Sequence, residues 1–312
     1  MFEVIVIGGG PAGLSAALTL GRALRRALLI DSGEYRNARA SNMHNFVTRD
    51  GTPPPEFRAI AREELKQYPT VETSTLTVED AKQLADGFEL TLGDGSTVQT
   101  RRLIFATGLQ DELPAIEGFG ELWGRSIFHC PYCHGYEDAR DKPIAVLFND
   151  PIMIELALHL RRFSADVVLL ADGRGDEIDE TARGRLADAD LAIREEKIAR
   201  FDAVDERLEK VVFESGEPLP RTGIFAVGKY LQRSKLPERL GCKLLPDGCV
   251  EIDDFQVTSV PGIYAAGDMA HRPTLPMAMP FVANATSSGM MAGIASDKNL
   301  VFTDTAPRSA SA

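Results

Sequence analysis

Cysteine is scarce in this chain, four in 312 residues. That is too few for the disulfide framework of a small secreted domain, so a closely spaced pair is a candidate for redox chemistry or metal binding. Basic charge is scarce as well. The net charge of −12 leaves no surplus of Lys or Arg to neutralise phosphates, which excludes nucleic acid as a partner, and the dispersed charges describe a solvated acidic surface. No run approaches the ~20 apolar residues of a membrane span. The first residues enter a strand without a basic segment or a cleavage site, so a cytoplasmic protein that does not meet the membrane is expected. There are no solenoid-type repeats, and the only low-complexity stretch is Thr303 to Ala312, expected to be disordered. What remains is 44% hydrophobic and 26% charged, a soluble globular composition long enough for two domains, each with its own core.

The N-terminus carries the first positive signal. Phe2 to Ile7 is a short apolar strand, and Gly8-Gly9-Gly10-Pro11-Ala12-Gly13 after it supplies G-x-G-x-x-G. Gly8, Gly10 and Gly13 permit a tight turn and close backbone approach. Pro11 and Ala12 open a helix whose N-terminus can receive a pyrophosphate. A second strand, Ala27 to Ile30, ends in Asp31, an acid able to take ribose hydroxyls. Two later segments fit the same domain: Leu103 to Gly108, a strand closing on Thr107-Gly108, and Gly262 to Asp268, a strand closing on Gly267-Asp268.

On these segments, in this order, the chain resembles the two-dinucleotide-fold flavoprotein disulfide reductases, specifically the low-molecular-weight thioredoxin reductases, over nearly its whole length. The resemblance implies an α/β fold of two Rossmann-like domains, the second inserted into the first. It implies FAD as cofactor, with Thr107, Gly108, Gly267 and Asp268 touching it and the Asp on the ribityl chain. It also implies a homodimer. The segment Asp31 to Asn37 and Met43-His44-Asn45 are similar to one subgroup, which puts Asn45 among the cofactor contacts and His44 near cofactor or substrate. The expected division is 1–114 and 243–312 for the FAD domain, and 115–242 for the insert. Asp111 to Gly118 and Leu231 to Gly241 would be the connectors.

In the insert, the sequence suggests strand Ile144 to Phe148, helix Ile152 to Phe163, strand Asp166 to Ala171, a charged helix around Asp179 to Ala189, two short strands, and a last strand Thr222 to Gly228. This is where the family binds NADPH, and here the chain departs from it. After the first strand stands Phe148-Asn149-Asp150-Pro151-Ile152-Met153, with no glycine at any of the three motif positions. Asp150 and Pro151 suit an N-cap and a first helical residue. The family's arginine cluster is reduced to Arg174, so NADPH binding in the usual way is doubtful.

Cys130-Pro131-Tyr132-Cys133, followed by His134, is the second signal. A C-x-x-C pair can close a disulfide and trade two electrons with a flavin. A thiolate is the attacking species, so a proton acceptor must be near, and histidine is the side chain suited to that near neutral pH. Zinc is the alternative. However, the adjacent pairs His129-Cys130 and Cys133-His134 cannot easily all face one tetrahedral centre, and no metal site is expected. Thioredoxin reductases carry Asp where this chain has His134. The segment Cys130 to Glu137 looks most like the dithiol oxidases of gliotoxin, holomycin and romidepsin biosynthesis.

That resemblance makes Cys130 the substrate-facing sulfur, Cys133 the flavin-facing one and His134 the proton carrier, with a small-molecule dithiol and oxygen as reactants. A disulfide reductase working with thioredoxin and NADPH or another donor, or a non-catalytic flavin protein, are the alternatives. Cys242, Cys249, His129 and His159 are assigned no chemistry. The C-terminal helix is expected over Met277 to Ser296, with its positive end toward the flavin.

Overall fold

The computed structural model describes residues 1–305. The chain divides into two compact units, one formed by 1–38, 55–110 and 230–312, the other by 39–54 and 111–229. The return crossing therefore falls at Lys229–Tyr230, ahead of the Cys242 boundary drawn from sequence. Leu236 and Cys242 are buried in the first unit's core with Ile5 and Phe105, which ties that stretch to it. The segment 39–54, read from sequence as part of the FAD domain, groups with the second unit.

The first unit is built on a seven-stranded sheet. Strand Phe2–Ile7 pairs in parallel with Ala27–Ile30 on one side and with Thr97–Phe105 on the other, and Ile263–Ala265 pairs in parallel with the far edge of the latter. Val4 and Val6 face one side, packed with Leu14, Ala17 and Leu20 of the helix Pro11–Arg22 and with Ala285 and Ala292 of the C-terminal helix. Ile5 and Ile7 face the other, packed with Phe88, Leu103 and Phe105. A strand covered on both faces needs an unbroken apolar run, and its buried part Val4-Ile5-Val6-Ile7 provides it. Phe105 is fully buried, and Phe105→Ala would cost about 3–5 kcal/mol.

The antiparallel excursion Val78–Leu84, Gly87–Leu92 and the first half of Thr97–Phe105 was not read from sequence. The C-terminal helix runs over Val282–Thr305, later than expected at both ends. Pro276 and Pro280 disfavour helical backbone through Met277–Met279, and Thr303 to Thr305 are its last turn rather than a disordered tail. The remainder of that expected tail lies outside the described residues.

The second unit holds a parallel five-stranded sheet in the order Ala192–Arg194, Val167–Leu170, Ile144–Leu147, Gly223–Phe225, Ile127–Phe128. Ile144 and Val146 pack with Met153, Ala157 and Leu160 of the helix Ile152–Leu160. Ala145 and Leu147 pack with Phe201, Val211 and Phe213 of a three-stranded antiparallel layer. The predicted helix around Asp179 appears as Glu180–Asp188, with the Asp179 carboxylate accepting from Ala182 N at 2.7 Å.

Candidate functional site

In the first unit the register decides what meets. Ile7 lies opposite both Ile30 and Phe105, and Phe105 lies opposite Ala265. All four strands therefore end at one level, and the Gly8–Gly13 turn, Asp31, Thr107-Gly108 and Gly267-Asp268 emerge together from the carboxyl edge, where ligands of such sheets bind. Gly8 has φ +108°, and a Cβ there would overlap the Ala106 carbonyl; a Cβ at Gly13 would overlap the carbonyl of Gly8. A Cβ at Gly10 would instead extend into open space over the start of the helix, which has no side-chain cap and no acid in its first turn. Its first amides are thus presented to an incoming anion. This cradle fits the pyrophosphate of a dinucleotide.

Asp31 is buried at the end of its strand. Its carboxylate accepts from Gly33 N at 3.2 Å, from the Tyr35 hydroxyl and from the Arg62 guanidinium, and burial with the bond to Asp31 pushes the Tyr35 phenol up. A ribose would share this acid with protein donors. Thr107 donates to the Met269 sulfur at 3.3 Å, and Gly267 N donates to the Ser288 hydroxyl at 2.9 Å. Asp268 lies 3.9 Å from the Arg36 guanidinium, which also sits over the Tyr230 ring. The sequence signal for Arg36 and Arg62 was absent, because their partners come from other elements. Asn45 does not share this unit; it has φ +63° and its N–H donates to Asp50 at 2.7 Å within the 39–54 segment.

The cysteine pair lies in the second unit, just after the edge strand Ile127–Phe128. Cys130 is in extended backbone and caps a single helical turn, Pro131–His134, with Cys133 N and His134 N donating to its carbonyl. The turn passes into a π-helical stretch, Gly135–Ala139, a geometry that recurs at functional sites. The looser turn sets Asp138 beside His134, with its carboxylate 3.4 Å from Nδ1. The imidazole stacks on Phe128 at 4.4 Å, which fixes its plane. A carboxylate facing Nδ1 favours the tautomer with its proton there, in which Nε2 is the accepting nitrogen.

Cys130 is 8% exposed and Cys133 half-buried, so the sulfur assigned to the substrate is the more sheltered. Tyr132 and Tyr136 around them are exposed, and His159, read as structural, packs edge-on against Tyr132 at 5.2 Å. His44 joins this unit, its Nδ1 3.6 Å from Asp50 and 3.7 Å from Glu137. Spacing alone did not point to Phe128 or Glu137, whereas the four-residue step from His134 to Asp138 is a helical one.

The helix start that would receive NADPH is built differently. The Asp150 carboxylate accepts from Ile152 N at 2.9 Å, occupying an amide that a phosphate would use. The Asn149 side chain donates to the Val227 carbonyl and so bridges the carboxyl ends of neighbouring strands at the point where the strand order reverses. Beside it is a cleft of about 460 Å³ lined in part by Asn149, Asp172, Arg174 and Lys197.

Two dinucleotide-type sheets, one with an open glycine cradle and the other bearing a C-x-x-C-H turn, define a flavin-dependent thiol/disulfide oxidoreductase. Comparison with known proteins agrees. The family model described as pyridine nucleotide-disulphide oxidoreductase matches residues 2–289. "Thioredoxin reductase tcpT" of Claviceps purpurea is 37% identical, covering 93% of this chain and 92% of the relative. "Thioredoxin reductase sirT" of Leptosphaeria maculans is 32% identical, covering 99% and 97%. The crystal structure of HlmI superposes with a TM-score of 0.89 at 37% identity, covering 98% of this chain and 94% of that one. The chain belongs to the pyridine nucleotide-disulphide oxidoreductase family, and within it is a thioredoxin reductase-like, FAD-dependent enzyme of thiol/disulfide exchange. Among the described residues no helix is long and apolar enough to cross a membrane.

Proposed function

We propose that this enzyme is a dithiol oxidase, closing a disulfide in a small-molecule dithiol through the Cys130–Cys133 pair with oxygen as the final acceptor. The observation that carries the reading is the contrast between the two helix starts: open and uncapped after Gly10, closed by a carboxylate at Asp150. A pair that is not supplied with hydride from NADPH draws its electrons from the thiols it meets. The exposed Tyr132 and Tyr136 give an apolar compound a surface to lie on.

In the reaction, one substrate thiolate attacks Cys130 of the disulfide, the Cys130–Cys133 bond breaks, and Cys133 leaves as thiolate. The second substrate thiolate attacks the substrate sulfur of this mixed disulfide and displaces Cys130. The substrate loses two electrons and two protons. His134 takes protons from the attacking thiols at Nε2, and Asp138 is a positioning residue acting through Nδ1. FAD, when bound, would supply a two-electron acceptor for the reduced pair, with oxygen as the final acceptor. In the first unit Gly8, Gly10, Gly13, Thr107, Gly108, Gly267 and Asp268 would hold it.

Oxygen uptake with a small dithiol such as dithiothreitol, one equivalent per disulfide formed, is the expected result. Rapid complete bleaching of the flavin by NADPH under anaerobic conditions would overturn the direction of electron flow. A disulfide reductase serving a thioredoxin is the second reading. It is favoured by the relatives' printed names and by the cleft with Arg174 and Lys197, and it requires NADPH-dependent reduction of a thioredoxin.

A further inference from the structure

We propose that Asp247, Cys249 and His271 form a binding site for a divalent cation of the zinc type, separate from the redox pair and with one coordination position left to water. The three side chains each bring one ligand atom, and these atoms all lie within 4.8 Å of one another. Tertiary pairing assembles them. The short strand Val250–Glu251 runs parallel to Ala270–His271, with Val250 opposite Ala270 and Glu251 opposite His271, and Val250 N donates to the Met269 carbonyl, so Cys249, just before the first strand, lies diagonally across the ladder from His271.

The ligands are held in the way a metal needs. His271 Nδ1 lies 2.9 Å from the Arg272 carbonyl, which fixes the ring and directs Nε2 to the Asp247 carboxylate at 2.8 Å. Zinc-ligating histidines are oriented by the same kind of second bond. Asp247 Oδ1 accepts from Cys249 N at 3.0 Å, leaving Oδ2 turned inward. Cys249 is 1% exposed and His271 5%, whereas the Asp247 side chain is 32% exposed and gives a path from solvent.

The chemistry of the set selects the ion. One thiolate, one imidazole and one carboxylate suit zinc, while calcium and magnesium prefer oxygen ligands throughout. Thiolate and carboxylate together carry two negative charges, which a divalent cation neutralises. A bound cation removes the thiol proton outright. On binding, the bond from Cys249 sulfur to hydrogen is replaced by a bond to the metal, and the proton goes to solvent. Cys249 Sγ lies 3.9 Å from the Asp268 carbonyl, so the ion would brace the backbone beside Gly267-Asp268.

The test uses the full chain with both redox cysteines changed, Cys130→Ser and Cys133→Ser, so that the C-x-x-C pair cannot ligate. This protein is expected to retain one equivalent of zinc after dialysis. Its zinc X-ray absorption should show one sulfur neighbour at about 2.3 Å among nitrogen and oxygen neighbours at about 2.0 Å. Adding Cys249→Ser or His271→Gln should weaken zinc at least about tenfold. Absence of stoichiometric zinc, a shell without sulfur, or affinity unchanged in both added variants would each overturn the proposal. The absorption measurement needs neither added variant, so a folding defect in them leaves it decisive.

Discussion

Replacing Asp150 by alanine measures how far one carboxylate closes the second dinucleotide site. Asp150 lies 2.9 Å from Ile152 N, so a phosphate seeking that amide meets a like charge at roughly 4 Å, worth about 4 kcal/mol at an effective dielectric of about 20. This corresponds to about a thousandfold in affinity. Asn149 still bridges to Val227 in the variant, so the thousandfold is an upper bound. Losing the bond from Ile152 N to Asp150 costs the start of the helix Ile152–Leu160 about 1 kcal/mol, a fall in Tm of about 2–4 °C in a chain of this size. Calorimetric titration with NADPH should find weak or no binding to the wild type, binding tighter by one to three orders of magnitude in Asp150→Ala, and the lower Tm. Tight binding by the wild type, or identical affinity in both proteins, would refute the reasoning.

Four further outcomes are expected. His134→Ala should lower kcat for dithiol oxidation by about 10²- to 10⁴-fold. Asp138→Asn should lower it less and shift the pH profile of kcat while leaving KM close to unchanged; a pH profile identical to the wild type would remove Asp138 from a positioning role. In metal-free protein Cys249, raised from 9.0 to about 12, should hold roughly a thousandfold less thiolate than an ordinary cysteine and resist iodoacetamide at pH 8 until unfolding. Because its folded value lies above its unfolded one, its contribution to stability is complete below pH 9 and is lost as pH rises from there toward 12, which urea denaturation at pH 8 and 11 would detect. Gly13→Ala, whose Cβ would overlap the Gly8 carbonyl, should yield protein without bound flavin; a yellow, fully loaded variant would count against the cradle.

Much of the fold was legible because its signals are local. FEVIVI before G-x-G-x-x-G, a proline opening the helix and an acid ending the next strand each act within a few residues. At Asp150 the outcome is one residue displaced: Pro151 stands at the N-cap and the helix begins at Ile152, whose N–H donates to the Asp150 carboxylate. The C-x-x-C-H turn was plain because its signal is local too. Hidden were the contacts that depend on chain segments far apart. Arg62 on Asp31 joins a helix to a strand end, and Arg36 beside Asp268 joins residues from opposite ends of the sequence. Asp138 stands four residues after His134, the spacing of neighbours on a helix, so a helical reading of this stretch was the signal that could have found it.

The sequence by itself determined the chemistry the chain can attempt: a dinucleotide cradle where only glycine fits, and two sulfurs with a proton acceptor beside them. Tertiary structure decided which side chains serve that chemistry, and where Cys249, unremarkable in the sequence, gains Asp247 and His271 as neighbours. The physical reason is range. Backbone sterics and helix capping act over a few residues and leave their mark in the order of amino acids, whereas electrostatic and coordination contacts act through space and arise only when parallel strands fix their register.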